Sequence, residues 1–143
     1  MYANCRYRRE IILMGEKSGN KVIGSLDKFI VDIFKLDLTE GQPIYIGESN
    51  LNHMKSEHPK DFEVYGNKIK EIINNPDYIA KHPNKKNSAI EYIKVYKNAN
   101  NEHVLVAVRA TGKGTLFART LFVMDSEKVE KYKNKNALIP YKK

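Results

Sequence analysis

The sequence predicts an α+β fold: N-terminal helices packed on a four-stranded antiparallel sheet. Three observations carry this. Apolar residues recur at helical spacing through the first half of the chain, strand-like alternation takes over from Tyr78, and no linker, internal repeat or low-complexity tract divides the 143 residues. One domain over residues 1–143 is expected.

Taken in order, Arg6 to Met14 reads as a strand built on Ile11, Ile12 and Leu13, and the turn-rich Gly15 to Asn20 leads by a hairpin into Lys21 to Gly24. Leu26, Phe29, Ile30, Ile33 and Phe34 follow the i, i+3, i+4, i+7, i+8 pattern, so a helix over 26–36 is expected behind an N-cap at Ser25. Thr39 to Pro43 breaks the chain before the short strand Ile44-Tyr45-Ile46. A second helix starts at an N-cap Ser49, carries Leu51, His53, Met54 and Glu57, and stops before Pro59. Asp61 caps a third, whose apolar face is Phe62, Tyr65, Ile69, Ile72 and Ile73 and which ends at Asn74-Asn75-Pro76; Gly66 weakens its middle by up to about 1 kcal/mol. Four strands follow, Tyr78 to His82, Ser88 to Tyr96, His103 to Ala110 and Leu116 to Met124, with turns short enough for a meander. The unbroken apolar run from His103 to Val108 marks a central strand. Ser126 caps a basic helix, Glu127 to Lys133, and the Lys-rich tail over 126–143 contains Ile139-Pro140-Tyr141.

Composition narrows the function. Lys and Arg number 25 against 17 Asp and Glu, a formal charge of +8, which suits phosphate backbones or other anionic partners as well as plain solubility. No apolar run approaches the roughly 20 residues of a membrane span, and Met1 to Glu10 is basic without an apolar stretch. The expectation is a soluble cytoplasmic protein with no membrane partner. The single cysteine, Cys5, excludes an internal disulfide and any Cys-rich zinc site.

His53 and His58 lie five apart, about 140° around a helix, so they do not form the i, i+4 pair of a helical zinc site. His82 and His103 fall on separate strands, and neither a metal nor another cofactor is expected. Glu57 shares a face with His53 and is placed to hydrogen-bond its imidazole and fix its tautomer, which makes His53 the stronger acid–base candidate. The plainer alternatives are that His53 borders the apolar face of Leu51 and Met54, and that His58 shields the carbonyls ending its helix.

A second constellation lies on the last two strands: Arg109 and Thr111 at the end of one, Arg119 and Thr120 along the next, with Gly112-Lys113-Gly114 between them. Alternation puts Arg109 and Thr111 on one side but Arg119 and Thr120 on opposite sides, so the set does not share one pocket unless a bulge intervenes. Arg forks and hydroxyls suit a phosphodiester, and RNA supplies its own nucleophile, the 2′-hydroxyl, so a base, an acid and an anion clamp suffice. Gly112-Lys113-Gly114 is equally an ordinary hairpin turn and is not a Walker loop. Among the nine tyrosines, Tyr78, directly after Asn75-Pro76-Asp77, is the candidate platform for stacking a base.

The block from Leu51-Asn52-His53-Met54 to Glu57-His58-Pro59, then Ile72-Ile73-Asn74-Asn75-Pro76-Asp77-Tyr78-Ile79, then strands carrying Arg109 and Arg119-Thr120, resembles the phage and mobile-element nucleases of the barnase, EndoU, colicin and RelE-like (BECR) group over about residues 21–130. The resemblance implies metal-independent endoribonuclease activity through a 2′,3′-cyclic phosphate, in a toxin or effector with tRNA or mRNA as target and an immunity or antitoxin protein as partner. Carried over residue by residue, it implies His53, His58, Arg109, Arg119 and Thr120 as catalytic and Glu57, Tyr78, Thr111 and Lys113 as substrate-binding. Two other classes fit the charge: a non-catalytic nucleic-acid-binding module, and a protein-interaction domain of a phage that meets an acidic partner.

Overall fold

A computed structural model describes residues 19–81, 89–98 and 101–141. The expected strand at Arg6 to Met14, most of the turn after it, Cys5, His82 and the turn at Pro83 to Asn87 lie outside the described residues. In order come β1 (Lys21–Ser25), α1 (Lys28–Phe34), β2 (Pro43–Ile46), α2 (Glu48–Glu57), α3 (Pro59–Tyr65), a 3-10 turn (Gly66–Lys68), α4 (Ile69–Asn74), β3 (Tyr78–Lys81), β4 (Ile90–Tyr96), β5 (Glu102–Ala110), β6 (Leu116–Met124), α5 (Ser126–Asn134) and β7 (Ile139–Pro140).

The sheet corrects the sequence reading. It has seven strands, not four, in the order β1-β2-β6-β5-β4-β3-β7, and it is mixed, because β2 pairs with β6 in parallel. The four expected strands form its middle as an antiparallel meander; β1 and β2 extend one side and β7 the other. The parallel join spans Ile44 to Leu116, a pairing that no local pattern announces.

Several helix starts also shift. Asp27, not Ser25, caps α1 by accepting from the Ile30 amide at 3.0 Å, and Asp125, not Ser126, caps α5 by accepting from the Lys128 amide at 2.7 Å. α2 opens one residue before Ser49, behind Gly47, whose amide donates to Asn50 Oδ1 at 2.8 Å. A Cβ at Gly47 would press on Asn20 Oδ1, so the Asn20 side chain would have to shift to admit one. The expected third helix is divided by its 3-10 turn at Gly66, and Asp61, inside α3, instead accepts from the Val123 amide at 2.9 Å. The β2–β6 pairing covers only Leu116 and Phe117, so this carboxylate satisfies a donor farther along the open side of β6.

Two apolar cores lie on opposite faces of the sheet. The larger joins Leu26, Ile30, Met54, Tyr65, Ile69 and Ile72 to the β5 residues Val104, Val106 and Val108. The smaller sets Val129 and Tyr132 of α5 against Ala80, Ile93, Leu105, Ala107 and Met124. Full burial of each Leu, Ile, Val or Met contributes about 1.5–3 kcal/mol. The smaller core leaves part of its face open, and the candidate site lies there.

Tyrosine hydroxyls tie the layers together. Tyr65 donates to Glu102 at 2.5 Å, Tyr96 to Glu71 at 2.7 Å, Tyr132 to Glu91 at 2.7 Å, and Tyr141 to Asp27. Burial first, then the carboxylate partner, pushes Tyr65 up to about 12 and raises Tyr96, Tyr132 and Tyr141; burial also raises Tyr92, whose hydroxyl is sealed in the core. A folded-state pKa above the unfolded value of about 10 gives stability that is present below pH 10 and lost as pH rises through the folded values. In an alkaline titration the tyrosinate absorbance of these five is therefore expected to rise in one step with unfolding. A rise near pH 10 larger than the other four of the nine tyrosines can supply, in a chain still folded by circular dichroism, would contradict this.

Candidate active site

The register lays out the face that α5 partly covers as three rows. Tyr78, Ile93, Leu105 and Phe122 form the first, Ala80, Glu91, Ala107 and Thr120 the second, and Arg109, Phe117 and Tyr45 the third. α5 lies over the first row and reaches the second, where Tyr132 meets Glu91. Beyond it no further helix among the described residues lies on the face: the small Ala107 is buried, Thr120 is half-buried and Arg109 is exposed.

A bulge at Arg119 assembles this face. Val108 pairs with Ala118 and Ala107 with Thr120, so Arg119 is the inserted residue. Ala118 belongs to the larger core, and Thr120, opposite Ala107, lies on the other face. Alternation continued from Ala118 turns Arg119 the same way as Thr120. Unbroken alternation would hold these two on opposite sides; the bulge removes that separation, and both join Arg109. Arg119 Nε is sealed from solvent and has no hydrogen-bond partner among the described residues. An unsatisfied buried donor costs about 1–3 kcal/mol, a cost that points to a functional role.

His58 stands at the margin of this face. Pro59 ends α2 and opens α3, and His58 is the joint: its amide donates to Met54 O at 3.0 Å and its carbonyl accepts from the Phe62 amide at 2.9 Å. With its backbone pinned at both ends, its ring lies on Phe122, centroids 5.3 Å apart and planes at 33°. Phe122 is two residues from Thr120 on the same face, about 7 Å along the strand. Lys128 of α5 places its ammonium 4.9 Å from the same ring and adds a cation to that edge.

His53 is placed differently. Met54 turns into the core, and His53, about 100° around the helix, is exposed beside the exposed Glu57. Among the described residues no hydrogen bond joins His53 to Glu57, and His53 has no ring or ion-pair contact. The expected imidazole–carboxylate bond is absent from this arrangement.

The β5–β6 loop is rigidly tied. Thr111 Oγ1 accepts from the Lys113 and Thr115 amides at 3.3 and 3.2 Å, and the Gly114 carbonyl accepts from Gln42 Nε2 at 2.8 Å. Gly114 supplies the left-handed turn at φ 86°. Thr111 thus shapes the loop, and Lys113 is exposed at its tip. Tyr78, in the first row, borders a separate cleft with Lys94, Lys97 and His103 at the other end of the strands and is not brought to the arginines. One residue of this region, Glu91, went unread in the sequence. Glu91 is the buried charged residue among those described, recognisable as the lone acid in Ala89-Ile90-Glu91-Tyr92-Ile93, and Tyr132 holds it. No three His, Cys, Asp or Glu side chains gather as metal ligands among the described residues, and no described helix is long and apolar enough to cross a membrane.

A family model described as phage-Barnase-EndoU-ColicinE5/D-RelE like nuclease3 (PBECR3) matches residues 20–131. The chain belongs to this family. The PBECR3 match runs from the start of β1 into α5, and so contains His53, His58 and the whole arginine-bearing hairpin. Its bounds agree with the resemblance expected over 21–130. Membership makes the chain one of the phage-type nucleases, with nucleic acid as the class of substrate. Comparison with curated proteins and with solved structures gave no match.

Proposed function

We propose that the protein is a metal-independent endoribonuclease that cleaves RNA through a 2′,3′-cyclic phosphate, with the open sheet face as its active site. The observation that carries the reading is the bulge at Arg119, which gathers two arginines and a hydroxyl on the face whose margin holds His58. In this reading the 2′-oxygen attacks the neighbouring phosphorus, the bond from phosphorus to the 5′-oxygen breaks, one proton leaves the 2′-hydroxyl and one arrives on the departing oxygen. Arg109 and Arg119 hold the non-bridging oxygens as negative charge builds, and Thr120 donates a further hydrogen bond. His58 carries one of the two proton transfers. His53 is the competing assignment for that role, separable by mutation.

Lys113 and the basic face of α5 extend the positive surface along which a strand lies. The substrate is tRNA or mRNA in the cytoplasm, the role is that of a toxin or effector, and an immunity or antitoxin protein restrains it. The test is incubation of RNA with the protein in EDTA and analysis of the product ends. Fragments ending in cyclic phosphate support the reading, and RNA left intact with salt-dependent binding supports a binding module instead.

A further inference from the structure

Where β5 turns into β6, a cleft of about 600 Å³ opens between that loop, the segment after α1 and the end of β3. Lys35, Lys81 and Arg109 line it, with Asp37 as the opposing carboxylate. None of the three cations has an ion-pair or hydrogen-bond partner among the described residues. Three unpaired positive groups around one concavity are destabilising in isolation and are offset when an anion enters.

The walls are built rather than accidental. Lys35 is the left-handed residue closing α1, at φ 52°, and its amide is bonded to the Asp32 carbonyl at 3.3 Å. The opposite wall is the loop fixed through Thr111, and Gln42 ties that loop to the segment after α1: it donates to the Gly114 carbonyl and accepts from the Thr39 amide at 2.9 Å. Lys81 ends β3, pairs with Ile90 and is part-buried.

Arg109 belongs both to this cleft and to the open face, two residues along β5 from Ala107, which pairs with Thr120. The Arg109 row lies about 7 Å along the strand from the row that holds Thr120, a step comparable to that between successive phosphates of an extended strand, and the rest of the cleft, with Lys81 next to Ala80 and with Leu36 and Leu38 packed on the larger core, lies round the end of the sheet. We infer that the cleft is a subsite for a flanking phosphate of a single-stranded RNA, held by Lys35 and Lys81, with Arg109 shared between it and the scissile phosphate. This rests on the ribonuclease reading above and adds the requirement for a substrate longer than the bond cleaved.

The test compares a hexanucleotide with a dinucleoside monophosphate on the wild type, K35Q/K81Q and D37N, each checked by thermal melting. K35Q/K81Q is expected to bind the hexanucleotide about 5- to 20-fold more weakly, with a salt slope shallower by about 0.7 for each lysine–phosphate pairing removed. Its turnover of the dinucleoside is expected to be unchanged. Asp37→Asn, which removes the opposing charge, is expected to tighten hexanucleotide binding several-fold. Equal losses on both substrates, or none on either while the wild type binds and cleaves RNA, would overturn the subsite and leave the ribonuclease reading standing. A wild type that neither binds nor cuts RNA would overturn both.

Discussion

Replacing His58 by alanine is expected to lower RNA cleavage by about 10²–10⁴-fold, the usual worth of a positioned acid or base. His53→Ala is expected to change it by only a few-fold. Sequence spacing favours the opposite ranking, because Glu57 shares a helical face with His53. The fold reverses that argument: the face they share is the exposed one, with no bond between them, whereas His58 is fixed between two helices and lies on Phe122, on the side of the sheet that carries Thr120. Removing the His58 ring from Phe122 costs about 0.5–1.5 kcal/mol of stability, so a thermal melt of each variant separates impaired chemistry from impaired folding. A His53→Ala variant that is dead beside an active His58→Ala would reassign the proton transfer.

The second large effect is expected at Arg119. Arg119→Ala should reduce kcat by about 10²–10³-fold, equivalent to about 3–4 kcal/mol of transition-state stabilisation, with binding of intact RNA much less affected. Arg119→Lys should recover little of this, since an ammonium lacks the planar fork that grips two phosphate oxygens. The side chain leaves Nε buried and unpartnered among the described residues, so its removal also relieves a desolvation cost, and the alanine variant is expected to be as stable as the wild type. A variant as active as the wild type, or one in which RNA binding and turnover fall in equal measure, would show that Arg119 acts as a surface charge and not in the transition state.

Much of this architecture is local and was legible. The apolar spacing of Ile30, Met54, Ile69 and Ile72 places helices whose inward residues form the larger core, and the run from Val104 to Val108 is the buried middle of β5. The bounds of β6 at Leu116–Met124 coincide with its alternating segment. What escaped is long-range. Ile44 joins Leu116 in parallel across the chain, and β7 is two residues long with a proline, too short for any period to show. Caps moved by one or two residues because aspartate caps as well as serine, and Asp27 and Asp125 are the residues that accept from the Ile30 and Lys128 amides.

The site divides in the same way. Arg109, Arg119, Thr120 and His58 are recognisable by residue type, but their common face depends on one inserted residue in β6, and a bulge has no reliable signature in a single sequence. Lys35 and Lys81 look like solvated surface charges until the fold brings the end of α1 beside the end of β3.

The central claim is that the 2′-hydroxyl of the substrate is the nucleophile at the open sheet face. The most direct measurement is the mass of the new 3′ end in fragments that the purified protein releases from RNA in EDTA. The account predicts a terminal 2′,3′-cyclic phosphate, formed without added metal and about 10²–10⁴-fold more slowly with His58→Ala. Cleavage that depends on added divalent metal, or that leaves 3′-hydroxyl ends, would contradict it.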